Sequence, residues 1–305
     1  MYAIDLLKAT LEPNASSRDV MKVSGLDWSV EKRPLYYVQD SVNVLVENNQ
    51  ALVRTSDNSV LSIVSNEWIP TQNEEAFDFF REFVQAGQMT LHTAGSLKGG
   101  TIVWALAKIR EPIDLFGGDI IEPYLLFTNP HEYGKSIDIR FTPKRIVCSN
   151  QITMTLSNRN NLGIKSTHRT KFNPALVKQT LSIAHRKLLQ YQGTAEFLGS
   201  RRYARDDAVD YYTQILTPAP TEIPEEVTTN PIVKKMMNLL DEQPGMQYAP
   251  GTWWQVWNAL TYGMDHVFGR SDENRLHSSW YGVNKTRKIK GLELAMTFAE
   301  RSDRA

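Results

Sequence analysis

Alternation of apolar and polar positions is the first regularity along the chain. Short β-prone runs at residues 35–38, 43–46, 51–54 and 60–64 are separated by Asn and Asp turns, a pattern that predicts antiparallel sheet. The period then changes. Asn73 stands where an N-cap is needed, Glu74 and Glu75 follow in the first turn, and Phe77, Phe80 and Val84 recur at helical spacing up to a stop at Gly87. Strand patterns return at 89–94 and 101–108, joined through the Gly-rich stretch 95–100. A second pair at 120–128 and 136–141 is joined through 129–134. Two hairpins in succession make a meander.

Asn173 followed by Pro174 opens another helix, on which Leu176, Val177, Thr180, Leu181, Ala184 and Leu188 share one face. Its opposite face holds Lys178, His185, Arg186 and Lys187. Residues 217–231 contain four prolines and three acids with little to bury, which predicts an exposed linker. Beyond it come a helix near 232–240, a tryptophan-rich stretch at 251–268 and a closing helix at 288–299. The predicted organisation is an N-terminal arm at 1–34, an α+β core at 35–216, the Pro-rich linker at 217–231 and a helical C-terminal section at 232–305. The fold class is α+β, an antiparallel β-meander with packed helices.

Composition bounds this picture. A chain of 305 residues with 41% hydrophobic and 22% charged content buries a sizeable core, which excludes a disordered or fibrous protein. The single cysteine, Cys148, forms no intramolecular disulfide, and no stretch reaches eighteen uncharged apolar residues. These features lead to the expectation of a cytoplasmic protein with no membrane partner. Lys plus Arg and Asp plus Glu are each 34, so the formal net charge is zero. That neutrality is a cancellation: residues 1–134 carry −8, residues 135–205 carry +12 and residues 206–305 carry −4.

Catalytic signatures are sparse. The 95–101 stretch lacks the Lys that a phosphate loop needs directly after its last Gly, and reads as a hairpin loop. Cys148, His168 and His185 show no zinc spacing with one another or with the remaining histidines. Asp265 and His266 are adjacent on a helix and point about 100° apart, so a structural histidine is expected. No catalytic residue, metal ligand or cofactor is therefore assigned. One enzymatic alternative rests on Asp114, Asp119, Glu122 and Asp138, acids that a meander could gather into a magnesium site for phosphodiester cleavage. Trp253, Trp254 and Trp257 read as core rather than as a base-stacking platform.

The strongest signal is the run 139–195, which holds ten Lys or Arg and no Asp or Glu. Ser, Thr and Asn lie between its cations, the composition of a phosphate-backbone groove. The candidate DNA-binding residues are Arg140, Lys144, Arg145, Arg159, Lys165, Arg169, Lys171 and Lys187. Tyr191, Tyr203, Tyr211 and Tyr212 lie near as candidate stacking faces.

Several runs carry a family likeness: Gln72-Asn73-Glu74-Glu75-Ala76-Phe77, Ala94-Gly95-Ser96-Leu97-Lys98-Gly99-Gly100, Glu122-Pro123-Tyr124-Leu125-Leu126-Phe127-Thr128-Asn129 and Arg140-Phe141-Thr142-Pro143-Lys144-Arg145 through Asn150. With Gly251-Thr252-Trp253, Asp265-His266 and Ser279-Trp280-Tyr281-Gly282, they resemble an uncharacterised phage and plasmid protein family, a domain of unknown function, over roughly residues 35–300. The resemblance implies a phage or mobile-element origin and a host-cytoplasmic setting. In outline the meander followed by helices is also similar to phage single-strand annealing proteins, which implies a homo-oligomeric ring or filament holding single-stranded DNA without ATP. The expectation is thus an ATP-independent annealing protein active in DNA recombination. The magnesium nuclease is one alternative. A non-enzymatic, oligomeric interaction or virion-associated protein is the other, since the −8 of the first 134 residues complements the basic block.

Overall fold

A computed structural model of the chain describes residues 16–86, 89–109, 112–147, 164–166, 176–217 and 230–301. Residues 1–15 of the predicted N-terminal arm and residues 218–229 of the predicted linker lie outside them. What remains of the arm contains helix α1 (Ser17–Val23), opened by a capping box. In it the Ser16 hydroxyl accepts from the Asp19 N–H and the Asp19 carboxylate accepts from the Ser16 N–H.

The sheet expected from the first alternating runs is three-stranded, in the order β1 (Val30–Gln39), β2 (Val42–Arg54) and β3 (Val60–Ser65). Runs 43–46 and 51–54 belong to one strand, whose register with β1 shifts between Pro34 and Tyr36 so that residues 46–49 stand outside that ladder. Asp40 and Ser41 both take positive φ, 46° and 64°, the I′-type turn whose twist suits two strands joined by two residues. Helix α2 (Asn73–Ala86) begins at Asn73, one residue earlier than a cap would allow. The Asn73 side chain is buried and works at long range instead, donating to the Leu26 and Trp28 carbonyls and bonding the His131 ring at 3.0 Å. At the helix start the Glu75 carboxylate accepts from the Gln72 N–H at 3.1 Å.

The second sheet has six strands in the order β4 (Met89–Leu97), β5 (Ile102–Ile109), β7 (Asp119–Pro130), β8 (Ile137–Arg145) and β9 (Ile164–Ser166), with β6 (Ile113–Leu115) paired to β7. Every pairing is antiparallel, as the predicted meander requires. Side chains alternate between two faces. One face, with Val103, Ala105, Ala107, Leu125, Phe127, Ile139 and Phe141, packs on Phe77 and Phe80 of α2 and on Val20 and Met21 of α1. Burying each such phenylalanine contributes about 1.5–3 kcal/mol. The other face, with Trp104, Leu106, Tyr124 and Leu126, is covered in part by Leu276 and Trp280 of helix α7 (Asp272–Tyr281).

The remaining helices are α3 (Leu176–Ser200), α4 (Arg205–Leu216), α5 (Pro231–Glu242), α6 (Trp253–Tyr262) and α8 (Val283–Arg301), with a π-helical turn at Gly263–Val267 after α6. One hydrophobic cluster joins Tyr191 and Leu198 of α3, Tyr211 and Tyr212 of α4, the α6 tryptophans and Phe298 of α8 to Leu115 and Ile121 of the sheet. The C-terminal helices thus share their core with the sheet. Inside it, Asp265 and Lys288 form a buried ion pair at 2.8 Å, and Ser279 donates to the same carboxylate oxygen.

Candidate nucleic-acid interface

Strand β8 carries the start of the acid-free segment, and its pairing decides where those cations point. Glu122 of β7 is opposite Lys144, Leu126 is opposite Arg140, and Thr128 is opposite Asp138. Positions 138, 140, 142 and 144 therefore share the face partly covered by α7, while 139, 141 and 145 share the other. Beyond β8, Lys165 of β9 is the register partner of Asp138.

The eight predicted groove residues separate into four groups on this frame. Lys144 is half-buried, stands across from Glu122 and helps hold that carboxyl below its ordinary range. In Glu122 burial pushes the pKa up, and hydrogen bonds from Lys108 and Tyr124 outweigh it. Arg140 is paired with Asp138, donates to the Trp280 carbonyl at 2.7 Å and lies 5.1 Å from the centre of the Tyr281 ring. It locks α7 onto the sheet.

Arg145 departs from the expectation. It is 1% exposed, its Nε donates to Asp119 at 2.6 Å, and its Nη2 donates to the Gly245 carbonyl at 2.8 Å. Strand alternation is the reason: neighbours on a strand face opposite ways, so Lys144 and Arg145 cannot line one groove. Lys187 departs as well. It is 7% exposed and burial lowers its pKa, while Leu188 of the predicted apolar face is buried beside it and Arg186 of the opposite face is exposed. Lys165 is described through its backbone pairing, and Arg159, Arg169 and Lys171 lie outside the described residues. Exposed Arg186 belongs to the same acid-free segment.

The candidate stacking tyrosines are also mostly internal. Tyr191, Tyr211 and Tyr212 are fully buried, the last two with hydroxyls donating to the Gly291 and Val256 carbonyls. Burial raises both phenols well above their ordinary pKa. Trp253, Trp254 and Trp257 are core, as the sequence implied. Among the described residues the exposed aromatics are instead Tyr36, Tyr37 and Tyr133. The signal for the first two was their place beside a tight turn in a strand with no core residue near it.

The acids of the nuclease alternative do not converge. Asp119 and Glu122 lie on opposite faces of β7, Asp119 is bound to Arg145 and to the Trp254 indole at 3.0 Å, Glu122 to Lys108 and Asp138 to Arg140. Asp114 accepts from the Gly118 N–H in a turn. Among the described residues no group of three His, Cys, Asp or Glu is placed to hold a metal ion.

The molecule is therefore an α+β protein whose six-stranded antiparallel sheet continues through an acid-free, cation-rich segment into a shared helical core. The chain belongs to the family of the domain of unknown function DUF932, whose model matches residues 60–280. No curated protein and no solved structure matches it. Among the described residues no helix is long and apolar enough to cross a membrane.

Proposed function

We propose that the protein binds single-stranded DNA through its phosphates, without sequence readout, and promotes annealing of complementary strands without ATP, in a phage or mobile-element setting in the host cytoplasm. The observation that carries this reading is charge segregation: 57 consecutive residues, 139–195, hold ten cations and no acid, and they run from β8 into α3. The internal roles of Arg140, Arg145 and Lys187 remove them from the phosphate contacts. The proposed contacts are Lys144, Arg159, Lys165, Arg169 and Lys171, with Arg186 added. Bases then stay exposed for pairing.

The test is fluorescence anisotropy of a labelled single-stranded oligonucleotide at several salt concentrations, with a complementary strand added afterward. Each phosphate contact contributes a slope of about −0.7 in log K against log salt. Replacing Lys165, Arg169 and Lys171 together with Ala is expected to flatten the slope by about 2. Binding that is absent at low salt, or a slope untouched by the triple substitution, overturns the reading.

A second reading, self-association, is favoured by the exposed apolar arm of the three-stranded sheet and is developed next.

A further inference from the structure

The ends of β1 and β2 extend as a bare hairpin, because β3 pairs with β2 only over residues 49–53. Tyr36, Tyr37, Val38, Val42 and Leu45 on this arm are each at least 50% exposed. A two-stranded ribbon with apolar residues on both faces is marginal in water, and an open apolar edge without charges invites pairing with another strand. Between Arg33 and Glu47 the only charge is Asp40, in the turn.

The turn fixes which main-chain groups are open. In a two-residue hairpin the closing pair, here Gln39 and Val42, is hydrogen-bonded, so by alternation Val42 and Val44 direct their N–H and C=O groups at β1, before the register shifts beyond Leu45. Asn43 and Leu45 direct theirs outward, along an edge that β3 does not reach. The next outward carbonyl, that of Glu47, already accepts from the Asn66 side chain at 2.8 Å. The free edge is thus short and centred on Val44.

We propose that this edge is a self-association site, where β2 pairs antiparallel with β2 of a second copy around a two-fold axis through Val44. In that register Asn43 is hydrogen-bonded to Leu45 of the second copy, and the reverse, making four main-chain bonds. Val44 meets Val44, and Val42 meets Val46 on both sides, so one face becomes a continuous valine surface. Glu47 falls opposite Ser41 and Asp40 opposite Asn48, so no like charges face each other. A register centred on Leu45 would require the Glu47 carbonyl that Asn66 occupies. This self-complementarity selects a second copy as the occupant of the edge, independently of any nucleic acid.

The experiment is sedimentation velocity of the full chain without nucleic acid, with thermal melting of each variant. The wild type is expected to be dimeric. Leu45→Pro removes an outward N–H that the chain itself does not use, and Val44→Asp sets two carboxylates against each other. Each is expected to weaken the dimer about tenfold or more while the monomer melts normally. If either variant misfolds, the reading rests on cross-linking in a Cys148→Ser background: Val44→Cys forms a covalent dimer on mild oxidation, and Tyr37→Cys, one strand away from the axis, does not. A monomeric wild type, an association that both edge variants leave unchanged, or equal cross-linking at the two positions overturns the proposal.

Discussion

Replacing Arg145 with Met tests the sharpest difference between the sequence pattern and the fold. Arg145 and Asp119 are 1% and 0% exposed, and the guanidinium also binds the Gly245 carbonyl and lies 6.0 Å from the Trp254 ring. The substitution leaves the Asp119 carboxylate buried, without its guanidinium and still accepting from the neutral Trp254 indole N–H. Removing one member of a buried pair costs about 3–5 kcal/mol, because the other charge stays desolvated. With an unfolding entropy of about 2.1 cal/mol/K per residue, a 305-residue chain loses about 0.6 kcal/mol per degree, so the melting temperature falls by about 5–8 °C. Lys144→Met, one residue away on the half-buried face, is expected to cost less than about 1 kcal/mol. Calorimetry and urea titration of both variants measure the contrast, and Asp119→Leu added to Arg145→Met is expected to recover much of the loss. A loss below about 1 kcal/mol for Arg145→Met, or an equal loss for Lys144→Met, would refute the assignment of Arg145 to the interior.

Two further expectations concern the helical core. Burial raises the Tyr211 and Tyr212 phenols and pushes Tyr281 up to about 12, although its Thr128 and Arg140 neighbours pull it down. The unfolded chain releases these protons near pH 10 and the folded chain does not, so stability is full below pH 10 and falls as pH rises toward 12. Urea midpoints at pH 8, 10 and 11 check this, and a flat profile would contradict it. Gly291→Ala would set a Cβ 2.3 Å from Leu260 and 2.8 Å from the Tyr211 hydroxyl, whereas at Gly193 nothing lies within 4 Å. The first is expected to destabilise by about 1–3 kcal/mol and the second to stabilise by up to about 1 kcal/mol, read from denaturant midpoints. Equal effects would mean that helix propensity alone decides both.

Period-2 and period-3.6 patterns were enough to place the meander, α2 and the C-terminal helices, because each buries one face and local alternation records which one. The tryptophans of α6 were legible as core because three such large aromatics on one short helix bury more apolar surface than a solvent-facing helix can carry. Strands β6 and β9 are three residues each and the ten-residue α7 is mostly polar, so they carried little periodic signal, whereas α4 has Ala208, Tyr211, Tyr212 and Ile215 at helical spacing, a pattern the tyrosines' reading as stacking faces obscured.

The charge block was visible as composition, but composition does not say which cations face water. That was decided by the register of β7 with β8, which turns Lys144 and Arg145 to opposite sides, and by the docking of α7, which supplies the Trp280 carbonyl to Arg140 across 140 residues of chain. Asn73 shows the same division, since a residue suited to cap a helix is used to tie α2 to Leu26, Trp28 and His131. Local sequence therefore determined the elements and the placing of charge along the chain. The tertiary structure decided the partner of each charge, because a buried ion must find its counter-ion wherever packing brings one within about 3 Å, however distant in sequence.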